Sequence, residues 1–173
     1  MKIKLNNNMS PTVIFGLTSL GVVHTLISLV AVATGAISLI RDGKISWGNS
    51  LGKTYVVTTI IVCLTGFGIF QHGGFGKPHI LGIITLLTLG VIYLAAKKNL
   101  GKSSAYVETI GYSLTFFFHI VPAITESATR LPLDAPLASS PEDPRIKMAI
   151  GICFVLFLIG AITQARKMRA QKV

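Results

Sequence analysis

The stretch PTVIFGLTSLGVVHTLISLVAVATGAISLI, residues 11–40, contains no lysine, arginine, aspartate or glutamate. About 20 apolar helical residues cross the ~30 Å hydrocarbon core of a bilayer, so this stretch is long enough to span a membrane. Lys2 and Lys4 precede it, as basic residues precede a signal peptide, but the apolar core of a signal peptide has only ~7–15 residues. The stretch therefore predicts a retained transmembrane helix.

Four further apolar stretches account for most of the remaining chain. They cover about residues 54–71, 78–96, 103–124 and 148–165. Of the 173 residues, 51% are hydrophobic and 13% are charged, and the mean hydropathy is +0.67. This composition is too apolar for an ordinary soluble domain. The sequence predicts an all-α fold, with residues 1–173 forming one integral membrane bundle of five transmembrane helices.

The basic residues divide unequally between the two sides of such a bundle. One side carries ten: Arg41, Lys44, Lys53, Lys97, Lys98, Lys102, Arg166, Lys167, Arg169 and Lys172. The other side carries six: Lys2, Lys4, Lys77, Arg130, Arg145 and Lys147. The positive-inside rule then predicts a cytoplasmic C-terminus and an N-terminus outside. The net charge of +10 reflects topology rather than nucleic-acid binding, because the cations lie in turns and the tail.

The longest polar segment, residues 125–147, separates the fourth and fifth spans. It contains four prolines and four of the six acids in the chain. Prolines favour irregular structure, and long loops of this kind are often functional. The segment predicts a proline-rich loop that covers the outer mouth of the bundle.

Two of the four histidines stand out by position. Counted from the cytoplasmic helix ends, His24 and His119 each lie about 24 Å deep, in the outer third of the bundle. His24 shares a helix face with Gly21, Ala31 and Gly35, a small-residue stripe that predicts an interior position. His119 lies on a polar stripe and is likewise predicted to face the interior. His72 and His79 lie where helices meet turns, and an exposed His79 would be unremarkable there.

Ionisable residues follow His119 at the end of the fourth span. Pro122 lacks an amide hydrogen and is expected to kink the helix. Glu126 and Arg130 have the i, i+4 spacing of a helical ion pair. Glu126 could also hydrogen-bond an imidazole that holds a metal, and a cap pinning the outer loop is an equal alternative.

The stretch HTLISLVAVATGAISLIRDGKISWGNSLGKTYV and the later HIVPAITESATRLPLDAP, His119 to Pro136, resemble a family of small bacterial multi-pass membrane proteins close to the domain of unknown function 2306. The pattern HxxPxxTExxTRLPxxxP carries most of this likeness. Relatives often have a histidine after the first turn, where this chain has Trp47 and Ser50. The resemblance implies a bacterial inner-membrane setting and no established activity.

Three interpretations of the histidines stay open. Histidines on facing helices at matching depth are typical of a b-type haem for electron transfer, with His24 and His119 as axial ligands, Gly35 leaving space and Arg130 contacting a propionate. A non-haem metal could be held by His24, His119 and Glu126, with His72 and His79 as weaker ligands. Alternatively, the histidines only hydrogen-bond between helices of a non-enzymatic scaffold or accessory protein. A redox partner or another membrane protein would accompany these roles.

Overall fold

The computed structural model describes residues 18–70 and 74–170 of the chain. Within these ranges the protein is all-helical, with no strand, and a short 3-10 turn, Gly101–Ser103, precedes the fourth helix. The five helices are α1 Ser19–Asp42, α2 Ser50–Gly66, α3 Lys77–Ala96, α4 Ser104–Arg130 and α5 Pro144–Ala170. Four of them, all except α2, are long and apolar enough to cross a membrane, which agrees with a lipid bilayer as the environment.

Side-chain caps explain where α1 and α2 begin, and a glycine explains where α1 ends. The Thr18 hydroxyl accepts a hydrogen bond from the Gly21 amide at 3.2 Å. The side-chain oxygen Oδ1 of Asn49 accepts one from the Gly52 amide at 2.8 Å. Each cap satisfies one of the amides that an α-helix leaves without a partner in its first turn. Gly43 ends α1 in the left-handed conformation, with φ of 69°, a geometry that glycine adopts without strain.

The fourth helix is longer than the sequence predicts, and this corrects the boundary of the outer loop. Pro122 lies inside α4, which continues to Arg130 rather than ending at 124. Four of the eight residues after Pro122, Ala123, Glu126, Ala128 and Arg130, are strong helix formers, and the Glu126–Arg130 ion pair joins successive turns. The irregular segment is therefore residues 131–143, not 125–147.

Neighbouring helices pack mostly in chain order. α1 lies along α2, while α4 lies between α3 and α5 and also touches α1. A cluster of apolar side chains forms the core: Ile45, Tyr55, Val56, Leu89, Ile92 and Tyr112. α5 is peripheral, because Ile146 and Gln164 are its only buried residues, and it packs on α4 partly through the rings of Phe154 and Phe157 against Phe117.

The helices alternate in direction, so the bundle has two ends. We call the end formed by residues 43–49, 97–103 and the last turns of α5 the basic end. There the Gln164 amide donates to the Gly43 carbonyl at 2.9 Å. We call the end formed by residues 67–70, 74–76 and 131–143 the loop end, where Lys77 pairs with Glu142.

Candidate functional site

His119 is buried in the interior of the bundle and bonds to a threonine on α2. Its Nε2 lies 3.0 Å from the Thr59 hydroxyl oxygen. That hydroxyl has one proton, which it donates to the Tyr55 carbonyl at 2.7 Å. The Nε2–H of His119 must therefore be the donor and the Thr59 oxygen the acceptor, which assigns the tautomer of a neutral ring.

A second bond joins the same two helices one turn away. The Tyr55 and Thr115 hydroxyl oxygens lie 2.9 Å apart, and Thr115 donates its own proton to the Tyr112 carbonyl. Tyr55 thus donates to Thr115, by the reasoning used for Thr59. The Tyr55 ring also meets the His119 ring edge-on, with centroids 5.9 Å apart. We call Tyr55, Thr59, Thr115 and His119 the α2–α4 ladder.

His24 bonds to a different threonine of the same helix. Its Nδ1 lies 2.9 Å from the Thr65 hydroxyl oxygen, and Thr65 donates its proton to the Ile61 carbonyl. The Nδ1–H of His24 is therefore the donor. Gly66 makes room for the ring, because a Cβ there would lie 3.3 Å from His24 Cε1. The His24 stripe faces inward as predicted, since Gly21, Ala31 and Gly35 are all buried.

The two histidines do not meet at one level of the bundle. Their partners, Thr59 and Thr65, are six positions apart, or about 9 Å along α2. Side chains lean towards the N-terminus of their own helix, and α1 and α4 run in opposite directions. His24 consequently leans towards the loop end and His119 towards the basic end. The two rings are therefore separated along the bundle, although the sequence predicts similar depths for the two residues.

The residues do not fit the b-type haem that the sequence suggests. Histidine ligates haem iron through an unprotonated ring nitrogen, whereas the Nε2 of His119 carries the proton that it donates to Thr59. Gly35 leaves no open space for a flat macrocycle, because a Cβ there would lie 2.6 Å from a Phe116 ring carbon and 3.0 Å from Tyr55. The rings of Phe116 and Tyr55 occupy this space.

Glu126 and Arg130 form the ion pair that their spacing predicts. Both side chains are partly exposed, with 50% and 29% of their surfaces accessible. Glu126 thus hydrogen-bonds to Arg130, and its charge also acts on the imidazole of His24. Among residues 18–70 and 74–170, no group of three histidine, cysteine, aspartate or glutamate side chains is placed to hold one metal ion.

His79 is buried, although an exposed ring would have been unremarkable at this helix start. The ring stacks between Phe70 and Phe75, each with centroids 5.1 Å away. Its Nδ1 accepts the Gly76 amide at 3.2 Å and so caps α3. Within the described ranges its Nε2 has no hydrogen-bond partner. The signal that could have found this burial is Phe75, four positions before His79. His72 lies outside the described residues.

The segment 131–143 is attached to the bundle by charge and backbone contacts. The Glu142 carboxylate pairs with Lys77 at the start of α3 and with Lys147 in α5, at 2.9 Å for the latter. Hydrogen bonds from these two lysines lower the pKa of Glu142 to about 2. The Ala138 amide donates to the Ala128 carbonyl at 2.8 Å, and Ala138 is buried. The segment therefore lies against the loop end.

Comparisons of the chain with protein-family models, with curated proteins and with solved structures found no match.

Proposed function

We propose that this chain is a non-enzymatic multi-pass membrane protein, a scaffold or accessory subunit, whose interior histidines tie its helices together. The observation that carries the proposal is the α2–α4 ladder. Thr59 donates its only hydroxyl proton to the backbone carbonyl of Tyr55, so its oxygen can accept the hydrogen bond from His119. In the same way, Thr65 donates its proton to the Ile61 carbonyl and accepts the hydrogen bond from His24.

The energetic role of these bonds follows from the packing. α2 packs mainly on α1, and among the described helices its extensive contacts do not include α4. The long side chains of Tyr55 and His119 bridge the distance instead. Interhelical hydrogen bonds in membranes contribute about 0.6 kcal/mol on average and up to about 1.7 kcal/mol. Two such bonds specify how α4 is rotated against α2.

The proposal includes five membrane crossings. α2 is shorter than the other helices, but its 17 residues extend about 25 Å and run from the basic end to the loop end beside α1. The excess of cations at the basic end supports a cytoplasmic location for it, with segment 131–143 outside. The bacterial inner membrane is the setting implied by the family resemblance.

A double-mutant cycle tests the proposal directly. His119→Leu and Thr59→Val are each expected to destabilise the detergent-solubilised protein, with a coupling of about 0.6–1.7 kcal/mol because they remove the same bond. His119→Asn retains a donor and is expected to be less destabilising than His119→Leu. Denaturant unfolding in mixed micelles of the parent chain, the two single variants, the double variant and His119→Asn measures these values. Zero coupling would contradict a structural role for this bond.

Haem and metal content provide the complementary test. The purified full chain, expressed with haem precursor and metals supplied, is expected to show no stoichiometric metal and no reduced-minus-oxidised haem spectrum. A spectrum that His24→Ala and His119→Ala each abolish, and that His79→Ala leaves intact, would replace the scaffold by the electron-transfer interpretation.

A further inference from the structure

A groove separates α1 from α5 at the basic end of the bundle, with α4 as its floor. Its volume is about 550 Å³, and apolar side chains line most of it, among them Leu39, Phe116, Ile120 and Leu156. α5 packs against α4, and its extensive contacts with the described helices do not include α1. The groove therefore faces the side of the bundle where lipid lies.

The length of the groove matches one leaflet of a bilayer. Along α5 it extends from Cys153 to Lys167, fourteen positions or about 21 Å. A bilayer is ~40–45 Å thick including its headgroups, so one leaflet with its headgroup layer measures about 20–22 Å. An occupant that reaches from Cys153 to Lys167 would thus extend from near the membrane midplane to the headgroups.

The headgroup end of the groove is polar and basic, and hydrogen bonds between helices hold it in place. The buried Gln164 accepts the Ser113 hydroxyl at 3.0 Å and donates to Gly43, which links α5 to α4 and to the end of α1. Lys167 lies at the rim, is exposed, and forms no ion pair with a described residue. On this side of the bundle, residues 41–53, 97–108 and 166–169 together carry nine lysines and arginines against two acids, Asp42 and Glu108.

We propose that this groove binds one anionic phospholipid, with an acyl chain along its apolar length and the phosphate group at Lys167. A whole helix 10–12 Å wide does not fit inside the groove, because it would need roughly 1,600 Å³ or more over the same length. The excess of positive charge at the rim selects an anionic headgroup. The links through Gln164 hold the groove in place before lipid enters.

Native mass spectrometry of the full chain in mild detergent tests the proposal. Phosphatidylglycerol and phosphatidylcholine with identical acyl chains are titrated separately. Phosphatidylglycerol is expected to bind about fivefold more tightly, the effect of one lysine beside an anionic headgroup. Lys167→Gln is expected to remove most of this preference. Arg169→Gln, a change of the same charge in the same turn but outside the groove, is expected to leave it intact.

Two glycines of α5 provide matched steric variants. A Cβ at Gly160 or at Gly151 meets no atom within 4 Å, so a side chain can leave the helix at both positions without a clash at its first atom, but only Gly160 lines the groove. Gly160→Phe is expected to lower binding of both lipids about tenfold or more, since it fills part of the volume the acyl chain needs. Gly151→Phe is expected to bind both lipids as tightly as the parent chain does.

Three results would overturn the proposal. The first is equal binding of the two lipids. The second is equal loss in Lys167→Gln and Arg169→Gln, which indicates diffuse attraction to the basic end. The third is a dimer in the mass spectrum that Gly160→Phe dissociates, which assigns the groove to a second copy. Each result concerns α5 and is independent of the α2–α4 ladder.

Discussion

At the residue scale, Gly35 shows how the interior of the bundle is filled. Its position on the small-residue face of α1 allows the rings of Phe116 and Tyr55 to approach the helix backbone. The space that a glycine leaves is thus used by aromatic packing between α1, α2 and α4.

Gly35→Ala is expected to destabilise the protein by about 1–3 kcal/mol, because the new methyl group would lie 2.6 Å from the Phe116 ring. Gly90→Ala is the matched control on α3. A Cβ there meets no atom within 4 Å, so alanine is expected to stabilise the helix by up to about 1 kcal/mol. Unfolding in mixed micelles measures both. If Gly35→Ala is as stable as the parent chain, the space beside Gly35 is open, and Gly35 could then leave room for a ligand.

At the scale of elements, one carboxylate of segment 131–143 connects two helices. Glu142 connects α3 to α5 through Lys77 and Lys147, and Ala138 holds the middle of the segment against α4. Glu142→Gln removes both charge pairs while it keeps the size of the side chain. We expect faster amide hydrogen exchange across 131–143 and an unchanged rate in the middle of α4, since the pairs are exposed and local. Slowing of exchange in the segment would be inconsistent with this role.

The pH dependence of that contact has a definite sign. The pKa of Glu142 is lowered to about 2 by hydrogen bonds from Lys77 and Lys147. A carboxyl whose folded pKa is depressed stabilises the fold above its usual pKa of about 4.3, and the contribution declines as pH falls towards 2. NMR titration of the Glu142 carboxyl carbon is expected to give a midpoint well below 4, and Lys77→Gln is expected to raise it. A normal midpoint would refute the pairing.

At the scale of the whole molecule, the alternating helices place the C-terminal turns of α5 beside Gly43 and segment 131–143 at the opposite end. A reporter fused after Val173 is therefore expected to show a cytoplasmic location, and one inserted at Ser139 an external location. A third insertion at Gly101, in the turn before α4, is expected to match the C-terminal fusion. Reporters at Ser139 and Val173 on the same side would contradict a membrane crossing by α5.

The sequence by itself determined the helical class, most helix positions and the inward-facing stripes. The third span, predicted at 78–96, is observed at Lys77–Ala96, and Gly21, Ala31 and Gly35 are buried as the stripe on α1 predicts. These properties follow from local causes. A bilayer requires each backbone amide to bond within its own helix, and the 3.6-residue period places every third or fourth side chain on one face.

Only the tertiary structure decided which groups the interior residues bond. The α2–α4 ladder joins residues 60 positions apart, Tyr55 to Thr115 and Thr59 to His119, and no local period encodes that register. The opposite lean of side chains on α1 and α4 separates His24 from His119 although their depths along the chain are similar. The burial of His79 and the groove beside α5 likewise depend on how elements distant in sequence pack, because a space between helices exists only once those helices are placed.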